Sequence, residues 1–282
     1  MLSSTAESEP LQPVQIPPPP PSRPARLRLR PTGLDLRAER PVSWRGYLQS
    51  FHADRPGITE LVLAACDGNP YGWLGDAVPA GARRVLDLAC GSGPLYDGLS
   101  PCGYVGVDLS AAELSAARER EVPGLARADA ARLPIATGRV DLVMCSMALQ
   151  VLTPIGPVLD EIVRVLAPGG RLVAMLPSSV PLTSRDRWRW AQLLLALRRS
   201  RLDYPNDVSA AQLGPAGLDV VSDESRRFAY PVRDAAAASA LVRSLYLPAV
   251  PEPAVRRAVA VAERWVGGEI GLPLRRVVAV RR

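Results

Sequence analysis

The stretch Val85-Leu86-Asp87-Leu88-Ala89-Cys90-Gly91-Ser92-Gly93-Pro94 restricts this chain more than any other part of it. An apolar run short enough for a strand enters a turn with two glycines, and Pro94 suits a first helical position, where no amide donor is needed. Glycine in such a turn lets a ligand lie against the backbone, because a Cβ would fill that space. Helix amides exposed beyond the turn can meet a carboxylate or phosphate. Twenty-one residues after Asp87, a second apolar run ends in Asp108. An acid at the carboxyl end of a neighbouring strand, at this separation, can accept from both hydroxyls of a ribose. The glycine turn alone is weak; combined with two strands and two acids in this order, it predicts a nucleoside-binding α/β unit.

The ligand is narrowed by what the turn lacks. A dinucleotide fingerprint requires glycine at position 96, where Tyr96 stands. Asp87 lies just before the turn and would repel a pyrophosphate. A ligand with an ammonium group, a ribose and no phosphate fits better, and S-adenosylmethionine is such a ligand.

Around this unit the chain alternates short apolar runs with helical segments from Ala82 onward, the pattern of βαβ units on a parallel sheet. Strands are expected at 84–88, 104–108, 140–144 and 170–176, with later ones at 219–222 and 276–280. Helices are expected near 94–99, 111–120 and 155–167, the last closed by Pro168-Gly169-Gly170. A longer one fits 185–199, where Trp188, Ala191 and Leu195 suggest an apolar stripe lying on the sheet. Two more, near 234–247 and 252–266, form an insertion of about 232–268 before the final strand, placed to cover a pocket. Residues 1–31, with the five prolines Pro17 to Pro21, show no apolar periodicity and read as a disordered tail. Residues 32–80 read as an N-terminal helical lid segment, with Trp44, Tyr47, Leu48, Phe51, Ile58, Leu61 and Val62 at helical spacing, and residues 81–282 as the cofactor-binding domain.

As an ordered set these motifs resemble class I S-adenosylmethionine-dependent methyltransferases, particularly the type 11 group, which includes quinone-biosynthesis and malonyl-carrier-protein methyltransferases. VLDLACGSG at 85–93, YVGVDLSAAEL at 104–114, ARADAARLPIATGRVDLVMCSMALQVL at 126–152 and LDEIVRVLAPGGRLVAMLP at 159–177 carry the likeness, which covers about 80–178. It implies a Rossmann-like, mostly parallel seven-stranded sheet with helices on both faces. It implies that Ala89, Gly91 and Gly93 line the cofactor, that Asp87 lies near its amino-acid end and that Asp108 holds the ribose. Leu109 would pack on the adenine, Asp129 and the backbone of Ala130 would meet it, and Ser146 and Met147 would face the methionine part.

Methyl transfer from a sulfonium needs in-line approach in a water-poor pocket, and a base only if the acceptor must lose a proton. His52, the sole histidine, is the first candidate base and Tyr47 the second; a packing or capping histidine is the plainer alternative. Tyr71, Trp73, Trp188 and Trp190 are candidates for an acceptor pocket or for core packing. After the fourth strand the chain reads Met144-Cys145-Ser146-Met147, so the Asn/Asp-Pro-Pro-Tyr signature of amino-directed nucleic-acid methyltransferases is absent. Pro101-Cys102 precedes the second strand, the wrong place for a cytosine-methylating nucleophile. The four cysteines form no CxxC pair, which argues against a metal site. A small-molecule or carrier-bound acceptor is the expected partner, nucleic acid and membrane are not expected, and no secretory signal or apolar span marks the chain, so a cytoplasmic protein is expected. Alternatives are an RNA methyltransferase, favoured by six arginines within 183–201 in a chain without lysine, and a methyltransferase-fold protein using the cofactor without catalysis. A nicotinamide-dependent dehydrogenase is a distant third.

Overall fold

The computed structural model describes residues 43–99 and 102–282. The proline-rich tail, the first part of the lid segment and Pro101 lie outside the described residues. The chain opens with helices α1 (Trp44–Asp54), α2 (Ile58–Ala64) and α3 (Pro70–Gly75), followed by β1 (Arg84–Leu88), α4 (Tyr96–Leu99), β2 (Gly103–Asp108), α5 (Ala111–Glu119) and β3 (Leu125–Arg127). Then come β4 (Val140–Ser146), α6 (Ile155–Val165), β5 (Leu166–Pro177), α7 (Ser184–Leu197), α8 (Ala210–Leu213), a 3₁₀ turn at Gly214–Ala216 and β6 (Leu218–Val232). Helices α9 (Ala235–Arg243) and α10 (Glu252–Glu263) precede β7 (Gly268–Arg281).

The strands form one seven-stranded sheet in the order β3-β2-β1-β4-β5-β7-β6. Strands β1 to β5 pair in parallel, and β7 runs against both its neighbours. Parallel strands covered on both faces must be apolar on both, and the alternation sorts their side chains between two cores. Val85, Leu142, Met144, Val173 and Met175 enter one core, while Leu86, Leu88, Val143, Cys145, Leu172 and Ala174 enter the other. Helices α6 and α8 supply the second core, with Val158, Leu159, Ile162 and Leu213; α2, α3, α7, α9 and α10 supply the first. This is the Rossmann-like arrangement expected from the sequence.

Several boundaries moved. Helix α6 ends at Val165 and the backbone is already extended at Leu166, because Pro168 disfavours helical geometry just before it. Strands β6 and β7 are far longer than the expected 219–222 and 276–280, pairing from Leu218–Arg281 to Val232–Gly268. The middle of β6 is polar and exposed, so it carries little hydrophobic signal; pairing with β7 and the ion pairs Arg275–Asp223 (2.6 Å) and Arg276–Glu224 (3.1 Å) hold it. The short β3 and α3 were not expected, although Asn69-Pro70 starts α3 with a side-chain cap on Gly72.

Helix α7 corrects a second expectation. Trp188 and Leu195 are 66% and 79% exposed, so the Trp188/Ala191/Leu195 stripe does not lie on the sheet. The buried face is Asp186, Trp190, Leu193 and Leu197, also at helical spacing. A buried carboxylate fixes this choice. Asp186 forms a capping box with Thr183 and accepts from Arg227 Nε (2.7 Å) and the Gly271 amide (2.7 Å), while Trp190 donates to Gly271 O (2.9 Å). Burial would raise the Asp186 carboxyl, but Arg227, Thr183 and the Gly271 amide outweigh it and hold it well below the usual carboxylate range. Its stabilising contribution is therefore complete above about pH 4 and declines in stronger acid. Asp186→Ala should destabilise the fold by about 2–4 kcal/mol, because it leaves the buried Gly271 amide without an acceptor and Arg227 with Glu269 as its remaining carboxylate partner. Calorimetry at neutral pH should show Tm lower by roughly 10 °C; a change below 2 °C would mean that this network does not anchor α7.

Candidate cofactor cleft and its lid

Strand order reverses between β1 and β4, so the connections leaving their carboxyl ends diverge and open a crevice. The crevice holds about 180 Å³ of free space. Asp87, Ala89, Gly91, Asp108, Leu109, Asp129, Ala130, Ser146 and Met147 all line it, as does His52. Residues as far apart as Asp87 and Met147, sixty positions in sequence, thus meet at one sheet edge. Two non-glycine residues there adopt positive φ, Ala89 at the end of β1 (56°) and Met147 at the end of β4 (56°). Such backbone strain tends to cluster where a ligand dictates the path of the chain.

Gly93 is the exception among the expected lining residues. Its φ is 79°, and a Cβ there would lie 2.8 Å from Val122 Cγ2. Packing of the turn against the end of α5 requires glycine here. Gly91 (φ 54°) does face the cleft, and its amide donates to Asp108 Oδ2 (2.9 Å). Tyr96, in place of a third glycine, turns edge-on to Tyr104, at 5.3 Å between ring centroids.

The carboxylates differ in their settings. Asp108 accepts from the Gly91 and Ser110 amides (2.9 and 2.8 Å), one on each oxygen, leaving lone pairs for further donors. Burial raises its carboxyl above the usual value against these two bonds. Asp87 is 1% exposed, and burial pushes it up to about 7 despite the bond from the Tyr104 hydroxyl (2.9 Å); the Asp108 charge adds to the rise. Asp129 is held below its ordinary value, first by the Ala131 amide (3.0 Å) and also by Arg45 (2.7 Å). Five carboxylates (Glu60, Asp87, Asp108, Glu113, Asp129) line the cleft against a single arginine, Arg45, itself paired. That donor set suits a nucleoside carrying positive charge and opposes a phosphate.

Helices α1 and α2 close the cleft from above. Glu113, 3% exposed, accepts from His52 Nδ1 (2.7 Å) and from the Gly57 amide (3.0 Å). Ser92, in the glycine turn, donates to Glu60 on α2, and Arg120 bonds the same carboxylate. Arg45 reaches across to Asp129. His52 Nε2 lies 3.2 Å from the Tyr246 hydroxyl, so a proton on Nδ1 directed at Glu113 leaves Nε2 to accept from Tyr246. Tyr47 is not among the lining residues; its hydroxyl accepts from the Leu247 amide (2.7 Å) and serves the packing of that turn. Of the aromatic candidates, Tyr71 lines the cleft, Trp73 is buried against Phe228, and Trp188 faces solvent. Glu60, Glu113 and Tyr246 were missed by sequence reasoning. The only signal for Glu113 was the Ser110-x-x-Glu113 spacing, which marks a helix start and not a lid contact.

Residues 86–174 match a family model described as a methyltransferase domain. The demethylmenaquinone methyltransferase of Mycobacterium sp. (strain KMS) is 44% identical over 92 residues, covering 32% of this chain and 40% of that protein. The malonyl-[acyl-carrier protein] O-methyltransferase of Alcanivorax borkumensis is 39% identical over 112 residues, 37% of each chain. The chain thus spans about two fifths of the length of the curated relatives it matches. Among solved structures, phosphoethanolamine N-methyltransferase 2 of Haemonchus contortus, in complex with phosphomonomethylethanolamine and S-adenosylhomocysteine, superposes with a TM-score of 0.52 at 17% identity, covering 86% of this chain and 61% of that one. The fold is that of the class I methyltransferases. Within it, residues 86–174 are similar to methyltransferase domains of the type 11 group.

If Glu113 is the hinge pin of the lid, Glu113→Ala should release α1 and α2. Hydrogen exchange should then accelerate at least tenfold over residues 44–64 and stay unchanged in β1 and β4; equal protection in both proteins would remove the lid assignment.

Proposed function

We propose that this protein is a methyltransferase that uses S-adenosylmethionine and acts on a small organic or carrier-bound acceptor. The observation that carries the reading is the acidic cleft at the β1/β4 crevice, where buried Asp87 and half-buried Asp108 stand twenty-one residues apart on neighbouring strands and the Gly91 amide donates to Asp108. The residues present fit the cofactor. Asp108 has acceptor capacity for ribose hydroxyls, Leu109, Ala128, Ala130 and Ala131 offer an apolar slot for a base, and Asp87 faces the place for an ammonium group. When bound, S-adenosylmethionine supplies an electrophilic methyl group on a positively charged sulfur.

The chain's own contribution is chiefly placement and exclusion of water. Helices α1 and α2 cover the cleft, and positioning of this kind accounts for roughly 7–11 kcal/mol in well-oriented cases. Where the acceptor is a hydroxyl, its proton must leave as the new bond to carbon forms. The Tyr246 hydroxyl, His52 Nε2 and the Glu113 carboxylate form a chain that can take it, with Glu113 stabilising the imidazolium. His52 thereby acts as the base through Tyr246, and Tyr47 as a support for the turn that carries Tyr246.

The arginine-rich α7 favours a small acceptor over RNA. Arg189 bonds Glu269 O and stacks over Trp265 at 5.4 Å, Arg187 bonds Leu182 O, Arg199 bonds Pro248 O and Arg201 pairs with Asp203. Four of the six guanidinium groups in 183–201 thus have partners within the chain. Among the described residues no helix is long and apolar enough to cross a membrane.

Asp108→Ala should weaken S-adenosylhomocysteine binding at least tenfold in calorimetric titration without altering the far-ultraviolet spectrum; unchanged affinity would remove the ribose assignment. The Asp87 carboxyl, raised to about 7, is protonated at lower pH, whereas a ligand ammonium requires the carboxylate. Affinity should therefore rise with pH, by up to tenfold per unit between about pH 5 and 7, and level off above. Asp87→Asn should bind weakly and without this slope. A flat profile in the unaltered protein would detach Asp87 from the ammonium. Transfer of labelled methyl from S-adenosylmethionine to an acceptor tests the activity itself.

A further inference from the structure

A second cavity, of about 700 Å³, lies beyond the wall of the cofactor cleft. Thr59, Met147 and Tyr246 line both spaces and form the partition between them. Leu176, Leu182, Trp190, Leu241, Leu245 and Leu272 give the chamber its apolar character. Of its charged lining residues, Arg201 pairs with Asp203, Arg275 binds Asp223 and the Asp207 carbonyl, and the Asp207 carboxylate accepts from the Ser209 amide (3.3 Å). Apart from Met147 and Gln150, every lining residue falls outside the 86–174 segment shared with the family. The chamber is therefore built almost entirely from residues outside the matched segment.

Two side-chain oxygens of these walls are buried without a hydrogen-bond partner, Thr59 Oγ1 and Gln150 Oε1. Gln150 is 2% exposed, and its side-chain nitrogen donates to the Met147 carbonyl (2.7 Å), which ties the amide to the partition. Its Oε1 is buried without a partner. A buried amide oxygen left without a donor is costly, and a native fold keeps one where something else satisfies it. Asn206, also in the lining, shows the contrast: its amide nitrogen is spent on the Leu149 and Leu152 carbonyls, both at 2.8 Å, and serves only to pin the turn.

We propose that this chamber is the acceptor site, and that it takes an uncharged, lipophilic molecule whose hydroxyl donates to Gln150 Oε1 beside the partition. The assignment of the molecule as methyl acceptor rests on the methyl-transfer reading of the adjoining cleft. The apolar walls and internally paired charges select against ionic acceptors, and the glutamine oxygen selects for a hydroxyl over a methyl group in the same position.

The test uses the full chain and two fluorescent probes of like shape, 2-naphthol and 2-methylnaphthalene, titrated with and without saturating S-adenosylhomocysteine. The unaltered protein should bind 2-naphthol about fivefold more tightly than 2-methylnaphthalene, the discrimination expected of one buried hydrogen bond. Gln150→Met, of similar volume but without an acceptor, should bind the two alike. Ser244→Trp and, on another wall, Leu182→Trp should weaken both probes more than tenfold by filling the chamber. All three variants should keep their affinity for S-adenosylhomocysteine, which also shows that each is folded. Equal binding of the two probes by the unaltered protein, discrimination that survives Gln150→Met, or full probe affinity in both tryptophan variants overturns the proposal. Naphthol discrimination in a protein that does not bind S-adenosylhomocysteine supports the ligand site and removes the methyl-transfer reading instead.

Discussion

The reversal of strand order between β1 and β4 is the constraint on which the rest of the molecule depends. Connections that leave neighbouring strand ends in opposite directions cannot cover the carbonyl edge between them. Everything with chemistry to offer is gathered at this gap: Asp87 on β1, Asp108 at the end of β2, Ser146 at the end of β4, and the positive-φ residues Ala89 and Met147. The Gly91 amide bonded to Asp108 fastens the turn of one strand to the end of the next, so the cleft keeps its shape without a ligand's help.

The gap is then roofed by sequence with no part in the sheet. Helices α1 and α2 are fixed over it by side chains that belong to the cleft itself, Glu113 to His52 and Gly57, Ser92 to Glu60, Asp129 to Arg45. The same carboxylates that make the cleft acidic also hold its cover. Under the proposed function, the lid and a cationic nucleoside would draw on the same acceptor atoms.

On the far side of Thr59, Met147 and Tyr246 the chemistry changes from acidic to apolar. Thr59, Met147 and Tyr246 line both spaces, which adjoin there, and Tyr246 is also bonded to His52. The insertion before β7, expected as a pocket cover, supplies Leu241, Ser244, Leu245 and Tyr246 to this chamber. Trp190 lines it as well, while Trp188, two residues away on the same helix, points into solvent.

The sequence by itself determined the sheet-forming runs, the glycine turn and the identity of the acids at strand ends, because these depend on local periodicity and on spacing within a βαβ unit. It was less informative where structure is set by a distant partner. The polar β6 exists because β7 pairs with it along its whole length. The orientation of α7 follows from Arg227 and Gly271, forty-one and eighty-five residues beyond Asp186, and two competing stripes of equal helical spacing cannot be ranked without them. Gly93 looked like a ligand residue until Val122 was seen against it. The bond of His52 to Glu113, sixty-one residues on, and the unpartnered oxygen of Gln150 were decided by tertiary structure alone, since a hydrogen bond depends on which groups folding brings within about 3 Å and not on their order along the chain.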